Sequence, residues 1–348
     1  MRAILESVAS VEMSAAELGQ SGYQTITQAC GLLDRSERGK LALSGAGAVE
    51  FLNGQITNEL AGINPGEGRY AAFLTHKGKM LGDLRVLAAG DANGGQPAEL
   101  LLDTERATLQ ALFDMILRFK VGYDVELHKR TLEVSLLSLI GPAAADVAAR
   151  ATAGDGEGDL PLAMPGQAEH DHCPASIAGR PVRLVRTAGP AGVDVLCDAA
   201  EREHVEAALL GAGAVAVSAS AAEIVRVEHG RPRYGIDLDD SVIPQEAGLN
   251  ERAVSFTKGC YVGQETVARL YYKGKPNRHL RGLRFSKPVA PGTELQLGER
   301  LAGVLGSSVL SPVFGPIGLA LLRREAEPGM TVAADDSPAT VVELPFSA

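Results

Sequence analysis

The chain has little of what a nucleic-acid binder needs. It has no tryptophan, and only 8 phenylalanines and 7 tyrosines in 348 residues, so platforms for base stacking are scarce. Its 33 lysines and arginines are outnumbered by 43 acidic residues, which gives a net charge of −10. Such a surface repels polyphosphate at long range, which argues against strong, direct binding of nucleic acid.

Cysteine is also sparse, and long apolar runs are absent. No two of the four cysteines have the short spacing of a zinc or cluster site, and four are too few for a disulfide scaffold. The first nine residues contain Glu6 and lack the apolar run of a secretion signal. No stretch of about 18 apolar residues occurs, so no membrane span is predicted. These features predict a reduced protein of the cytoplasm.

Residue patterns predict a mixed α and β chain. Strand-like runs at Arg69–Leu74 and Gly82–Ala88 flank a turn, and the apolar spacing in Glu105–Phe119 indicates a helix. Ser220 and Glu223 form a capping pair that predicts a helix over Ala221–His229. After Leu283, short apolar runs alternate with Gly, Pro and Asp, which is typical of a small β-barrel.

Residues 151–180 differ in composition from their surroundings. They are rich in Gly, Pro and Asp, which predicts an exposed loop or internal linker. Within them, the run His170-Asp171-His172-Cys173 contains residue types that bind metals. Adjacent residues cannot all face one ion, and the run lacks the spacing of a zinc site, so no metal site is predicted.

The segment most suggestive of chemistry surrounds Cys260. Cys260 follows Lys258 and precedes a helix predicted from Gln264 to Leu270. A thiol near a helix N-terminus and beside a lysine has its thiolate stabilised, which makes the cysteine reactive. The alternative is that Cys260 is a small buried residue and Lys258 a surface charge.

The same segment carries a family resemblance. Residues 258–265 (KGCYVGQE) resemble the signature of the YgfZ family, folate-binding relatives of the glycine-cleavage T-protein, an aminomethyltransferase. Residues 51–58 (FLNGQITN), 77–80 (KGKM), 226–235 and 243–247 also resemble segments of that family. The resemblance runs from about Leu33 to Arg284 and is loose over residues 141–220.

The resemblance implies an α+β fold, a T-protein-like three-domain arrangement around a central channel with a C-terminal β-barrel. The implied boundaries place residues 1–52 with 141–240 in a first lobe and residues 53–140 with 241–278 in a second. Residues 279–348 then form the barrel.

The resemblance also implies a site for tetrahydrofolate or a one-carbon derivative of it. Glu228 stands where the T-protein has its pterin-binding glutamate, and its alternative is a solvated helix carboxylate. The implied site residues are Cys260 and Lys258 for chemistry, and Glu228, Asp83, Tyr261, Gln264, Arg269 and Arg278 for the folate. Arg269 and Arg278 belong to a basic stripe, residues 269–284, that is suited to a glutamate tail, to an inter-domain connector or to RNA.

One departure from the T-protein bears on activity. Where the T-protein has an Asp-Asp pair, this chain has Gly82-Asp83, so only one acid remains. The resemblance therefore implies a folate binder that supports iron–sulfur clusters in client enzymes, such as a radical tRNA-thiolating enzyme, with an indirect effect on tRNA modification. The alternatives are a folate-dependent aminomethyltransferase and a scaffold that binds protein or RNA through the basic stripe. The residues leave open whether Cys260 attacks carbon, ligates iron or exchanges electrons.

Overall fold

The computed structural model describes residues 22–90, 97–153, 164–335 and 337–347. The chain divides into two compact units. The first unit comprises Met1–Ser36, Ser135–Met164 and Cys173–Arg226; the second comprises Glu37–Val134, Pro165–His172 and Val227–Ala348. Among the described residues, no helix combines the length and hydropathy that a membrane span requires.

Helices and strands alternate along the chain. The strands are β1 Gly31–Asp34, β2 Gly39–Ser44, β3 Gly68–Leu74, β4 Met80–Ala89, β5 Glu99–Thr104, β6 Glu126–Lys129, β7 Val134–Ile140, β8 His172–Ile177, β9 Arg180–Thr187, β10 Gly192–Asp198, β11 Val215–Ala216, β12 Arg278–Phe285, β13 Glu294–Leu297, β14 Arg300–Ser311, β15 Gly315–Arg323, β16 Thr331–Ala334 and β17 Ser337–Val342. The helices are α1 (22–28), α2 Ala48–Asn53, α3 Leu109–Phe119, α4 Ala144–Ala153, α5 Arg202–Gly211, α6 Ala219–Glu228, α7 Asn250–Ala253 and α8 Gln264–Lys273, with 3-10 turns at Arg106–Thr108 and Ala199–Glu201.

The first unit is built on a six-stranded sheet in the order β11-β1-β7-β10-β9-β8. The apolar run of β7 is buried from its second residue onward, as expected for an interior strand. Helices α4 and α5 pack on β10, and Val147 and Leu209 are among the side chains that bury this face.

The second unit contains a five-stranded sheet in the order β3-β4-β5-β2-β6. Helix α3 packs on it through Leu112 and Ile116, two of the periodic apolar positions that predicted the helix. The hairpin β3–β4 pairs Tyr70 with Arg85 and Ala72 with Asp83. The sheet therefore places the side chains of Tyr70 and Asp83 close together.

The chain after Asn277 forms a closed barrel in the order β12-β15-β14-β13-β16-β17. Its strands are separated by turns that contain Gly and Pro, and inward side chains such as Leu283, Leu295 and Val332 are fully buried. The predicted C-terminal β-barrel is confirmed, as is the α+β class of the chain.

Two features of the chain differ from expectation. Strand β2 pairs with β5 and β6, so residues from Glu37 lie in the second unit, whereas the sequence placed residues 1–52 in the first lobe. Part of the predicted linker, residues 154–163, lies outside the described residues. The prediction of an exposed loop is wrong for His172–Ile177, which is strand β8 with both end residues buried.

Candidate functional site

Lys258 fastens the Cys260 segment to the loop that follows α2. Its Nζ atom donates to three main-chain oxygens, at 2.7 Å for Asn53, 2.9 Å for Ile56 and 2.7 Å for Asn58. An ammonium has three N–H donors, so all three are engaged. Burial lowers the pKa of Lys258 to about 8. The sequence suggested that Lys258 contacts an anion or tunes the thiol; in this geometry its ammonium has no hydrogen left for an anion.

Two glycines allow the turn before α8 to approach the β3–β4 turn closely. Gly263 has a φ of 84°, and a Cβ there would lie 2.6 Å from the oxygen of Thr75. Gly78 has a φ of 77°, and a Cβ there would lie 2.8 Å from Cβ of Thr266. Both positions therefore require glycine. Three of the segments that carry the family resemblance meet here: residues 51–58, 77–80 and 258–265.

The thiol of Cys260 is exposed at this turn. The amide of Gln264, the first residue of α8, donates to the oxygen of Gly259 at 3.3 Å and so braces the turn. An accessible thiol was predicted, and the alternative of a small buried residue is wrong. The neighbouring Tyr261 is buried instead, packed in an apolar cluster with Leu74, and burial raises its pKa to about 12.

A half-buried tyrosine and a buried carboxyl form the polar centre of the β3–β4 hairpin. The hydroxyl of Tyr70 donates to Oδ2 of Asp83 at 2.9 Å. Asp83 is only 6% exposed, and burial raises its pKa to about 6 despite that hydrogen bond. A carboxyl with a pKa near neutrality is suited to holding or releasing a proton.

The arginines nearest to Asp83 are already paired with another carboxylate. Nε of Arg38 lies 2.8 Å from Oδ1 of Asp103, and Nε of Arg85 lies 2.7 Å from Oδ2 of the same side chain. Asp103 is buried between these two cations. Burial raises the pKa of Asp83, and the positive charge of Arg38, which lowers this pKa, does not outweigh the burial.

A third set of side chains surrounds Tyr70. The guanidinium carbon of Arg252 lies 4.8 Å from the ring centroid of Tyr70, and Nη2 of Arg252 lies 2.7 Å from Oε1 of Glu169. The ring of His170 lies 6.2 Å from that of Tyr70. The side-chain amide of Asn58 donates to the main-chain oxygens of Tyr70 and Arg252, at 2.8 and 3.2 Å. Asn58 thus joins this cluster to the loop that Lys258 holds.

Comparison with known proteins assigns the family. Residues 10–258 match the GCVT N-terminal domain. The chain belongs to the GCVT family. The match ends at Lys258, so Tyr70, Asp83 and the residues around them lie inside the family domain, whereas Cys260 and α8 follow it.

The similarity to individual relatives extends beyond that domain. An aminomethyltransferase from Streptomyces avermitilis is 28% identical over 93% of this chain and 88% of its own length. A putative chloroplastic transferase from Arabidopsis thaliana is 27% identical over 91% of this chain and 71% of its own length. The crystal structure of aminomethyltransferase T from Bartonella henselae, the glycine cleavage system protein, has a TM-score of 0.79 at 23% identity and covers 94% of this chain and 89% of that one. The T-protein-like fold implied by the sequence is therefore confirmed.

Within this GCVT fold, the carboxylate of Glu228 is buried rather than solvated. Glu228 ends α6 and is 8% exposed. Its Oε1 accepts a hydrogen bond of 2.5 Å from the hydroxyl of Ser311, at the end of β14. The alternative of a solvated helix carboxylate is wrong, and the implied contact with a pterin stays a prediction.

The basic stripe is divided between two environments. Arg278 lies 2.9 Å from Glu246, Arg281 lies 2.7 Å from Glu343, and Arg284 donates to the oxygen of Ser347. Arg269, Lys273 and Lys275 are exposed, and they form no ion pair with the part of the chain that the structure describes. The stripe is therefore not one continuous free cationic surface. Arg278 forms an ion pair with Glu246, so its guanidinium is less available for the predicted contact with a folate.

Sequence reasoning missed four residues of the cluster around Tyr70. His170 is buried, whereas Tyr70, Glu169 and Arg252 are half-buried. Tyr70 lies two residues before Ala72, the cross-strand partner of Asp83, so the hairpin pattern contained a signal for it. Glu169 and His170 lie in the segment interpreted as a linker, whose composition gave no sign that it packs against this sheet.

Proposed function

We propose that this chain is a folate-binding member of the GCVT family that supports iron–sulfur cluster assembly or repair in client enzymes. In this proposal the chain is a YgfZ-type protein of the cytoplasm, and tRNA modification changes only indirectly, through a client such as a radical tRNA-thiolating enzyme. The observation that carries the proposal is the exposed thiol of Cys260, on a turn that Lys258 fixes in place. Because the side chain of Cys260 is exposed, its sulfur is accessible to a reaction partner.

The folate part of the proposal rests on buried hydrogen-bonding groups. Reduced folate carries a flat pterin whose amino-pyrimidine edge donates hydrogen bonds, and a buried carboxylate is a strong acceptor for them. Glu228 supplies such a carboxylate, and the relatives named aminomethyltransferases support a shared ligand. Asp83, with its raised pKa, is the second carboxyl suited to contact the ligand. Tyr261 and Gln264 support the turn that carries Cys260.

The space around Gly82 argues against the aminomethyltransferase alternative. A Cβ at Gly82 would lie 2.7 Å from the ring of Phe73 and 2.7 Å from Cβ of Thr108. A second carboxylate beside Asp83 therefore has no room unless these neighbours move. A positioned carboxylate contributes on the order of 10²–10⁴ in rate to general acid–base catalysis.

Two observations still favour that alternative enough to test it. The relatives from Streptomyces avermitilis and Bacillus pumilus are both named aminomethyltransferases, at 28% and 25% identity. The pKa of Asp83, about 6, also suits acid–base work on its own. Turnover of an aminomethyl donor with tetrahydrofolate by the purified chain would support the transferase.

Calorimetric titration with 5-formyl-tetrahydrofolate tests the folate claim directly. We expect saturable binding of one equivalent, and no binding would refute the proposal. The client claim is tested in cells that lack the gene, by measuring the activity of a radical tRNA-thiolating enzyme with and without this chain. Restored client activity together with no aminomethyl turnover is the expected pair of results.

A further inference from the structure

Three buried polar atoms next to Tyr70 lack partners. Nδ1 and Nε2 of His170 and Nε of Arg252 have no hydrogen-bond partner within the described ranges. His170 is 6% exposed, and its Nε2 lies 3.8 Å from Oε1 of Glu169, which is beyond hydrogen-bonding distance. Buried polar groups are nearly always satisfied, so three unpaired atoms in one cluster point to a missing partner.

The imidazole of His170 is neutral in these surroundings. Burial and the nearby guanidinium of Arg85 lower its pKa to about 3. A neutral imidazole offers one N–H donor and one acceptor nitrogen at the same time. Together with the Nε–H of Arg252, the cluster therefore presents two donors and one acceptor.

The segment 165–172 fixes the position of this ring. The amide of His172 donates to the oxygen of Gly66 at 2.7 Å, and the carboxylate of Asp171 accepts from the amide of Ala168 at 2.9 Å. Between them, His170 has a φ of 73°, in the left-handed region. Backbone strain of this kind persists where the surrounding structure holds it and is concentrated at binding sites.

We infer that His170 and the Nε–H of Arg252 form a hydrogen-bonding point for an amide-type edge of the folate, a carbonyl oxygen beside an N–H. This inference rests on the proposed function and adds His170 as a positioning residue, beside Tyr70 and Asp83. The carbonyl oxygen accepts from the Nε–H of Arg252, and the ligand N–H donates to the unprotonated ring nitrogen of His170. Folate has one such edge, the carbonyl and adjacent N–H of the pterin ring.

Two substitutions separate hydrogen bonding from packing. His170→Asn and His170→Gly both suit a positive φ, but only asparagine retains a donor and an acceptor. In calorimetry with 5-formyl-tetrahydrofolate, we expect His170→Gly to bind at least about tenfold more weakly and His170→Asn to stay within about threefold of wild type. His204→Asn makes the same change at an exposed histidine of α5, outside the cluster, and is the control expected to bind like wild type.

A second titration with 6-hydroxymethylpterin, which lacks the glutamate amide, locates the contact. The same loss in His170→Gly with this fragment assigns the contact to the pterin edge; a loss with the whole folate only overturns that assignment. Wild-type affinity in His170→Gly for both ligands overturns the inference while leaving the proposed function intact. Equal losses in the glycine and asparagine variants overturn the hydrogen-bonding role, and a wild-type chain that binds no folate overturns both proposals.

Discussion

The ammonium of Lys258 lies 2.7 Å from the main-chain oxygen of Asn58. The side chain of Asn58 in turn donates to the main-chain oxygens of Tyr70 and Arg252. One residue therefore contacts both the thiol-bearing segment and the buried cluster around Asp83.

Replacing Lys258 by methionine tests whether its three hydrogen bonds to main-chain oxygens stabilise the fold. The substitution leaves the oxygens of Asn53, Ile56 and Asn58 without their shared donor, and unsatisfied buried groups cost about 1–3 kcal/mol each. We expect the free energy of unfolding in urea to fall by about 3 kcal/mol. Lys273→Met, on the exposed face of α8, serves as the control and should change stability by less than about 0.5 kcal/mol. Equal stability of the two variants would contradict a structural role for Lys258.

The titrations of Asp83 and His170 make the free energy of unfolding depend on pH in opposite directions. The folded pKa of Asp83, about 6, lies above its ordinary value of 3.8, so the folded chain binds this proton more tightly. Its contribution is therefore fully present below pH 3.8 and is lost as pH rises towards 6. The folded pKa of His170, about 3, lies below its ordinary value of 6.5, so stability is lost as pH falls below 6.5.

Each substitution removes one of these two contributions. The pH dependence of the variant's free energy of unfolding should then show the contribution of the other group. Relative to wild type, Asp83→Asn should lose stability on acidification from pH 6 to 5, by about 1 kcal/mol, because the Asp83 contribution is missing. His170→Asn should gain about the same amount over that interval. Urea unfolding at half-unit steps of pH measures both. Parallel profiles for wild type and both variants would show that neither group is perturbed by folding.

Local sequence patterns were sufficient for much of the fold. The apolar spacing of Leu112 and Ile116 predicted α3, and the alternation of short apolar runs with glycine and proline predicted the barrel. These patterns are set by the face that each element buries, so they can be read one element at a time. The position of β2 could not be obtained in this way, because its pairing with β5 and β6 depends on residues far along the chain.

The candidate site could be predicted only where it, too, depends on local sequence. The exposure of Cys260 follows from a local turn between glycines, and the sequence contained that turn. The direction of Lys258 depends on carbonyl groups about 200 residues earlier, which no local pattern records. His170 lies in a segment whose composition is typical of a loop, and only tertiary packing shows that it is buried.

Glu228→Gln tests the buried carboxylate. Glutamine keeps the shape but removes the charge, and hydrogen bonds to charged groups contribute about 1.5–3 kcal/mol. We expect the affinity for 5-formyl-tetrahydrofolate to weaken by that amount. Ser311→Ala removes the hydroxyl that donates to Glu228 while keeping the charge, and is expected to change affinity less than Glu228→Gln does. Full affinity in Glu228→Gln would remove this residue from the folate site.

Cys260→Ser separates the thiol from both the fold and the folate. Because the side chain is exposed, the free energy of unfolding should change by less than about 0.5 kcal/mol, and the affinity for 5-formyl-tetrahydrofolate should stay unchanged. Client iron–sulfur enzyme activity in cells should nevertheless fall to the level seen without the gene, because a hydroxyl is a poorer ligand for iron than a thiolate and forms no disulfide. Cys173→Ser, which alters a partly buried thiol of the first unit, should leave that activity intact. Full client activity with Cys260→Ser would exclude the thiol from the function, whatever the folate does.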